Sequence, residues 1–471
     1  MKKENIRLIH VTSTMLVVLS LAACTTPITS APVSMEVPAS FKEAKEWGLW
    51  KTARLDAAAV PDDWWSLFND TALNDLQRQV LVGNENLKAS AAQVEVARAA
   101  LGSARAPASP NLSLSAGSTN SVLPGGISAT TANSLAANAS WELDLWGRVA
   151  GNVSSAESRL QASAADLAAA RWSVQALLTQ TYFSLRSAEA QGLLLERSVA
   201  AYLRSLELTQ NRYTGGIASA ADVAQATTQL RSTQAQLIES QSSRAQLEHA
   251  IATLLGKPAA NVALTRTATL PSAPPVPVQL PSDLIQRRPD IAAASARVAA
   301  ANAQIGVAQS AFFPAITLSA NAGFRGADLL NLISAPNLFW SLGPALAATL
   351  FDGGARKANE ESARASTTQA IASYRQTVLT ALQEVEDNMV VAASLEEQSA
   401  LQTDALTAAQ RNLDITNNQY KAGTVSYLNV VTAQATALAS ERALLDVRNR
   451  RLVAIAVLLK NLGGRWDGLG S

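Results

Sequence analysis

The chain has 471 residues, and its 38 basic and 37 acidic side chains give a formal net charge of +1. This balance gives no reason to expect nucleic acid or an anionic surface as a partner. A single cysteine excludes an intramolecular disulfide, and with only two histidines we expect neither a metal site nor a cofactor. Apolar residues make up 48% of the chain but aromatic residues only 5%, a composition that suits long helices in close contact.

The N-terminus has the features of an export signal. Basic residues precede an apolar run at 15–23 that is too short to span a bilayer. The run ends in Leu-Ala-Ala-Cys24, which resembles a bacterial lipoprotein processing box in which Cys24 becomes lipidated. Thr25 follows, and in such lipoproteins the absence of an aspartate there indicates the outer membrane. An ordinary secretory signal that happens to contain a cysteine is the alternative.

The periodicity of the chain changes from helical to alternating within its first third. After a proline-containing tether at 24–61, apolar residues recur with helical spacing over 71–106, where Pro107 ends the pattern. The period then falls to two, with a Pro-Gly-Gly turn at 124–126. Residues of about 111–146 therefore predict an antiparallel hairpin with one apolar and one polar face. Its polar positions are Asn138, Ser140, Glu142 and Asp144.

Long helices are predicted next. Helical periodicity returns at Arg148 and continues to about residue 210, with a break near Gly192. The stretch 148–190 alone would be about 65 Å long, more than the diameter of a small domain. Tyr213 begins a glycine-containing turn, and the following helix has apolar residues near heptad spacing, which favours a coiled-coil-like seam.

The same order of elements then recurs. A proline-rich connector at 257–282 leads to a helix over 290–311 and a second hairpin at about 315–351. The polar positions of this hairpin are Thr317, Ser319 and Asn321. Its last strand is the least regular, because Pro344 interrupts the alternation and proline is disfavoured inside strands except at edges and bulges. Further long helices flank a glycine-containing turn after Tyr420.

The two halves also share sequence. Residues 210–256 match 417–463 at an offset of 207, and 101–110 match 305–314 at an offset of 204. Self-similarity of this kind indicates a structural unit that is used twice. The predicted organisation is a signal peptide at 1–23, a lipid-anchored tether at 24–61, a first repeat at 62–256, a connector at 257–282, a second repeat at 283–464 and a tail at 465–471.

Four amphipathic strands pose a problem of closure. In lipid, an open sheet leaves backbone groups without partners, and the smallest bacterial barrels have about eight strands. The strands therefore belong either to a soluble sheet or to a barrel that several chains complete together.

Several motifs, in order, resemble the TolC-type outer-membrane efflux family over about 62–464. They are Trp141-Glu142-Leu143-Asp144-Leu145-Trp146-Gly147-Arg148, Arg287-Arg288-Pro289-Asp290-Ile291, Ala300-Ala301-Asn302-Ala303-Gln304-Ile305-Gly306, Ala311-Phe312-Phe313-Pro314 and Tyr420-Lys421-Ala422-Gly423-Thr424-Val425-Ser426-Tyr427-Leu428. The lipid box resembles that of the lipoprotein branch, which serves resistance–nodulation–division (RND) pumps. The resemblance implies a mainly α-helical protein with a transmembrane β-barrel. Each chain of a homotrimer would give four strands to a shared twelve-stranded barrel, and the long helices would form a periplasmic tunnel.

The resemblance implies conduction as the function. The sequence contains no catalytic constellation, so we expect no enzyme activity. Drugs or other small toxic solutes would pass from an inner-membrane RND pump, through a periplasmic adaptor protein, into this outer-membrane lipoprotein. Two alternatives stay open: an outer-membrane factor of type I protein secretion, and a lipid-anchored periplasmic structural protein without a pore.

The resemblance also implies a gate at the periplasmic tips. By position, Asp222 and Tyr420 would form a latch between neighbouring helices, near Tyr213 and Asn429, with the phenol donating to the carboxylate. The alternative is that both merely cap helices. Asn429 stands where many relatives have an aspartate, so an acidic ring is not expected. The polar strand positions, Asp144 included, would face the lumen.

Overall fold

The computed structural model describes residues 38–43, 61–122, 129–267, 269–276, 284–285 and 287–463. The predicted signal peptide, Cys24, most of the tether and the tail lie outside these residues. Two compact units are present. Among the described residues, we call 94–163 and 294–374 the sheet unit, and 38–93, 164–293 and 375–463 the helical unit.

The described residues are mainly helical. The α-helices are α1 (Thr71–Gly83), α2 (Glu85–Arg105), α3 (Arg148–Thr214), α4 (Ala220–Leu254), α5 (Pro289–Ser310), α6 (Ala355–Lys421) and α7 (Tyr427–Leu462). Both α3 and α6 have 67 residues. Within the described part of the chain, no helix is both long and apolar enough to cross a membrane.

Two helix predictions were wrong. The single helix predicted over 71–106 is interrupted at Asn84, whose side chain accepts from the Leu87 amide (3.0 Å) and donates to the Leu254 carbonyl (2.7 Å). The break predicted near Gly192 does not exist, and α3 continues through it. A Cβ at Gly192 would lie 3.4 Å from both Arg266 and Ser240, so the glycine allows close packing there and does not bend the helix.

The sheet unit contains one antiparallel sheet in the order β1-β2-β3-β4. The strands are β1 (Asn111–Val122), β2 (Ala129–Glu142), β3 (Ala315–Gly326) and β4 (Leu338–Ala347). The two segments with alternating periodicity are hairpins, and β2 pairs with β3 to join them. Pro344 lies within β4, opposite Leu318. It is tolerated because β4 is an edge strand of this sheet.

The helical unit has a large apolar core. Buried aromatic residues near its centre include Trp64, Phe68, Tyr182 and Phe183. The Phe68 and Phe183 rings lie 4.8 Å apart, and the Tyr182 hydroxyl donates to Asp70 at 2.6 Å. Asp70 also caps α1 by accepting from its first amides. Burial, together with this hydrogen bond, raises the pKa of Tyr182 above its ordinary value.

Candidate functional site

Strand register divides the sheet into an apolar and a polar face, because directly paired residues of antiparallel strands point to the same side. One row across the four strands consists of Leu114, Ala137, Ala322 and Trp340. The adjacent row consists of Ser113, Asn138, Asn321 and Ser341. Leu114 is 75% exposed and Trp340 76% exposed in the single chain. The apolar face is therefore a bare surface of a kind that soluble proteins rarely present.

The polar face holds most of the positions predicted to face a lumen. They are Asn138, Ser140, Glu142, Thr317, Ser319 and Asn321. Their side chains form bonds across the strands: Asn138 donates to Ser115 at 3.0 Å, and Asn321 donates to Ser341 at 3.4 Å. The face is thus a continuous hydrogen-bonding wall of small, mostly neutral groups.

Asp144 does not belong to this wall, and its predicted strand position is wrong, because β2 ends at Glu142. The Asp144 carboxylate accepts from the backbone amides of Val149 (3.0 Å) and Ala150 (2.7 Å). It therefore satisfies free N–H groups at the start of α3 and counters the positive end of the helix dipole.

The end of the sheet where β2 leads into α3 is fixed by polar contacts. Glu142 forms a two-point ion pair with Arg148, at 2.7 and 2.6 Å. Sequence reasoning missed Arg148 as a partner, although the spacing of six positions across the junction between β2 and α3 was visible. The Trp146 indole donates to the Pro314 carbonyl at 2.7 Å and stacks on Phe313 at 4.8 Å. These contacts hold the strand ends and helix starts together.

In the helical unit, the turns after α3 and α6 have the same hydrogen bonds at equivalent positions. The Gly216 amide donates to the Tyr213 carbonyl and the Gly423 amide to the Tyr420 carbonyl, each at 3.0 Å. Both glycines have positive φ, +71° and +77°. Each turn also has a bond spanning six residues, which completes a Schellman ending that favours glycine.

The surroundings of the two turns differ. Tyr420 is buried; its ring packs 5.3 Å from Tyr427, and the Arg212 guanidinium lies 4.7 Å above it. The equivalent Tyr213 is 49% exposed. The position equivalent to Tyr427 is an alanine, Ala220, so only the second turn has an aromatic pair.

The proposed latch partners do not bond to each other within the chain. The Asp222 carboxylate accepts from the Ser219 amide (2.8 Å) and hydroxyl (2.9 Å) in a capping box at the start of α4. The Tyr420 hydroxyl is buried and has no hydrogen-bond partner in the described chain. Asn429, equivalent to Asp222, is exposed. The capping role expected as the alternative thus exists for Asp222.

Sequence reasoning missed Arg212 and Tyr427 at this site. Besides the ring contact, Arg212 donates to the Tyr420 carbonyl at 3.3 Å. The Tyr427 hydroxyl lies 3.0 Å from that of Ser205, and burial raises the pKa of Tyr427. Their positions in the sequence could have indicated them, because each lies within a few residues of a predicted gate residue.

Comparison with known proteins was informative over most of the chain. The family model for the outer membrane efflux protein matches residues 76–257 and 280–464. The antibiotic efflux pump outer membrane protein ArpC of Pseudomonas putida is 31% identical over 423 residues, covering 88% of this chain and 87% of ArpC. The outer membrane protein OprJ of Pseudomonas aeruginosa is 30% identical over 467 residues, covering 97% of this chain and 96% of OprJ.

The fold agrees with a solved channel. The outer-membrane channel OprN superposes with a TM-score of 0.85 at 27% identity, covering 93% of this chain and 98% of OprN. The predicted family is confirmed by both comparisons. The chain belongs to the outer membrane efflux protein family, and it is the outer-membrane channel of an RND-type efflux pump.

Proposed function

We propose that three copies of this chain close one twelve-stranded barrel in the outer membrane, with four strands from each. The observation that carries the proposal is the sheet itself: β1 and β4 each have a strand partner on one side only, and the apolar face is bare. In lipid, a free strand edge is costly and an apolar face is not. Pairing of β4 with β1 of the next copy, repeated around a threefold axis, would give both edge strands a partner, with Pro344 as a position that donates no hydrogen bond.

In this arrangement the polar face lines the lumen and the apolar face contacts lipid. The long helices α3 and α6, each about 100 Å at 1.5 Å per residue, form a tunnel that reaches into the periplasm. Their equal lengths and the two matched ranges of the family model support the duplication, which would give three chains a pseudo-sixfold tube.

We assign the remaining parts by the same resemblance. Cys24 carries lipid, which anchors the tether to the outer membrane. A periplasmic adaptor and an inner-membrane pump are the partners, and the pump supplies the energy. The transported solutes are drugs or other small toxic molecules, as the name of ArpC indicates for that relative. Type I secretion and a purely structural role are the rival functions.

Native mass spectrometry of the detergent-extracted mature protein tests the assembly and the anchor together. We expect a trimer in which each chain is heavier than the polypeptide starting at Cys24 by several acyl chains. A Cys24→Ala variant should lose that added mass yet remain trimeric, because the anchor does not contribute to strand pairing. An unlipidated wild-type monomer would contradict both the shared barrel and the anchor.

The latch hypothesis predicts that Tyr420→Phe or Asp222→Ala raises the single-channel conductance several-fold. Each substitution removes a hydrogen bond to a charged group, which would stabilise the closed tip by about 1.5–3 kcal/mol. In the latched state, the Tyr420 hydroxyl, which has no partner in the described chain, would donate to the Asp222 carboxylate on the neighbouring helix. Ser219→Ala is the matched control, because it weakens the same capping box and keeps the carboxylate. Unchanged conductance in both latch variants, or an equal rise in the control, would eliminate the latch.

A further inference from the structure

The described strands contain very few charges. Across β1 to β4, charged side chains occur only at Glu142 and Arg325. Glu142 pairs with Thr317, and Arg325 pairs with Ser134, so both lie on the polar face. Eight positions separate Glu142 from Ser134 along β2, or about 27 Å. The face therefore has one acidic end and one basic end.

Only the basic end keeps an uncompensated charge. Glu142 is neutralised by its two-point contact with Arg148. Arg325 is exposed, and the described chain places no carboxylate within salt-bridge distance of it. Its neighbour is instead Phe339, whose ring centre lies 5.3 Å from the guanidinium carbon.

The sequence around this end offers little competing charge. No charged residue occurs from 106 to 141, and Asp328 is the only acidic residue from 316 to 351. Both carboxylate oxygens of Asp328 are used by its own loop, accepting from the Leu330 amide at 3.0 Å and the Asn331 side chain at 2.8 Å. Arg325 thus stands as a positive group on an otherwise neutral wall.

The register of β4 on β3 places the Phe339 side chain on the polar face. Phe339 pairs directly with Gly323, which has no side chain, and its ring lies beside the Arg325 guanidinium on the polar face. An aromatic ring holds one face of a guanidinium and leaves the planar fork of N–H donors free. That fork matches the oxygens of a carboxylate, sulfonate or phosphate, and the ring offers an apolar contact beside it.

We infer that Arg325 and Phe339 form a contact site for anionic aromatic solutes at the end of the sheet away from the helices. The site rests on the proposed barrel, in which three copies of the pair face one lumen. Three guanidinium groups on a low-dielectric wall produce a potential that favours anions at this mouth. Solutes with both an aromatic ring and an acidic group are retained best there.

Planar-bilayer recording of the purified trimer in a potassium chloride gradient tests the charge. Arg325→Gln should lower the anion-to-cation permeability ratio by about twofold or more. Arg325→Lys should keep the ratio because it keeps the charge. Arg78→Gln is the matched control: it removes a positive charge from an exposed pair with Asp75 on α1, and the ratio should not change.

Block of the current by pyrenetetrasulfonate, added on the barrel side, tests the solute contact. Phe339→Leu should weaken the block about threefold or more and preserve the permeability ratio. Arg325→Lys should also weaken it, since an ammonium lacks the planar fork.

The outcomes distinguish a failure of the proposed anion site from a failure of the proposed barrel. A wild-type protein that forms no trimer and passes no current would contradict the proposed barrel. A conducting trimer whose selectivity is the same in Arg325→Gln would overturn the anion site and leave the barrel intact. Equal block of wild type and Phe339→Leu would also overturn the aromatic contact.

Discussion

Replacing Glu189 by alanine is expected to lower the free energy of unfolding of the helical unit by about 3–5 kcal/mol. The Glu189 side chain is fully buried between Arg186 (2.7 Å) and Arg244 (3.1 Å), and it also accepts from the Thr267 amide at 3.1 Å. Removing the carboxylate leaves the buried Arg186 without an anion, whereas Arg244 keeps its ion pair with Glu248 at 2.8 Å. Arg186 would then carry an uncompensated desolvation cost.

The same network fastens the connector that follows α4. Arg186 donates to the Thr265 carbonyl and Arg244 to the Leu264 carbonyl, each at 2.8 Å. Loss of Glu189 should therefore speed amide hydrogen exchange at 264–267 before it affects the core. Native-state hydrogen exchange followed by mass spectrometry measures both quantities, the local exchange rate and the slowest, global one.

Two controls bracket the effect. Glu189→Gln keeps an acceptor oxygen and the shape, so its cost should be smaller. Glu196→Ala breaks a partly exposed pair with Arg266 and should cost less than about 1 kcal/mol. If Glu196→Ala and Glu189→Ala changed the exchange rates equally, the buried network would have no special role.

Gly256→Ala is expected to destabilise the helical unit by about 2–5 kcal/mol. Gly256 has φ +68°, a conformation in which a Cβ is strained. Its added methyl group would also overlap the carbonyl oxygen of Gly83, at the end of α1, and backbone cannot move aside as a side chain can. The end of α4 thus packs directly on the end of α1.

Two further variants separate the effect of the positive φ from the effect of the steric overlap. Gly216→Ala has the same positive φ but nothing within 4 Å of the new Cβ, so it should cost only about 1–2 kcal/mol. Gly83→Ala, whose Cβ would overlap the Leu255 carbonyl, tests the close approach without positive φ. Thermal and urea unfolding of the three variants should rank Gly256→Ala as the least stable. An equal loss in Gly216→Ala would show that conformation alone matters.

Sequence reasoning was reliable where a pattern depends on local periodicity. The two-residue period predicted that Asn138 and Asn321 lie on the polar face, because successive side chains of a strand point to opposite faces. The pairing of β2 with β3 could not be predicted, because the register between distant strands is set by packing and has no local sequence signal. The membership of the family came from motifs and was confirmed by the comparisons.

The wrong predictions concern residue types that occur in two different structural roles. Asp144 continued the alternation of β2, yet a carboxylate before a long helix is equally a cap, and the free amides of α3 decided the outcome. Gly192 looked like a helix breaker, although a glycine also lets neighbours approach. The surroundings of Tyr420 depend on Arg212 and Tyr427, which tertiary packing brings together.

The pairing of β2 with β3 imposes an order on biogenesis. The two strands are more than 170 positions apart in the chain, so the first hairpin emerges from the export machinery well before the second. A two-stranded hairpin with a bare apolar face is marginally stable in water and prone to pair with other chains. Each nascent copy must therefore be shielded until its own second half arrives, and only then can it join others. The late strands, β3 and β4, thus set the earliest moment at which a copy can insert.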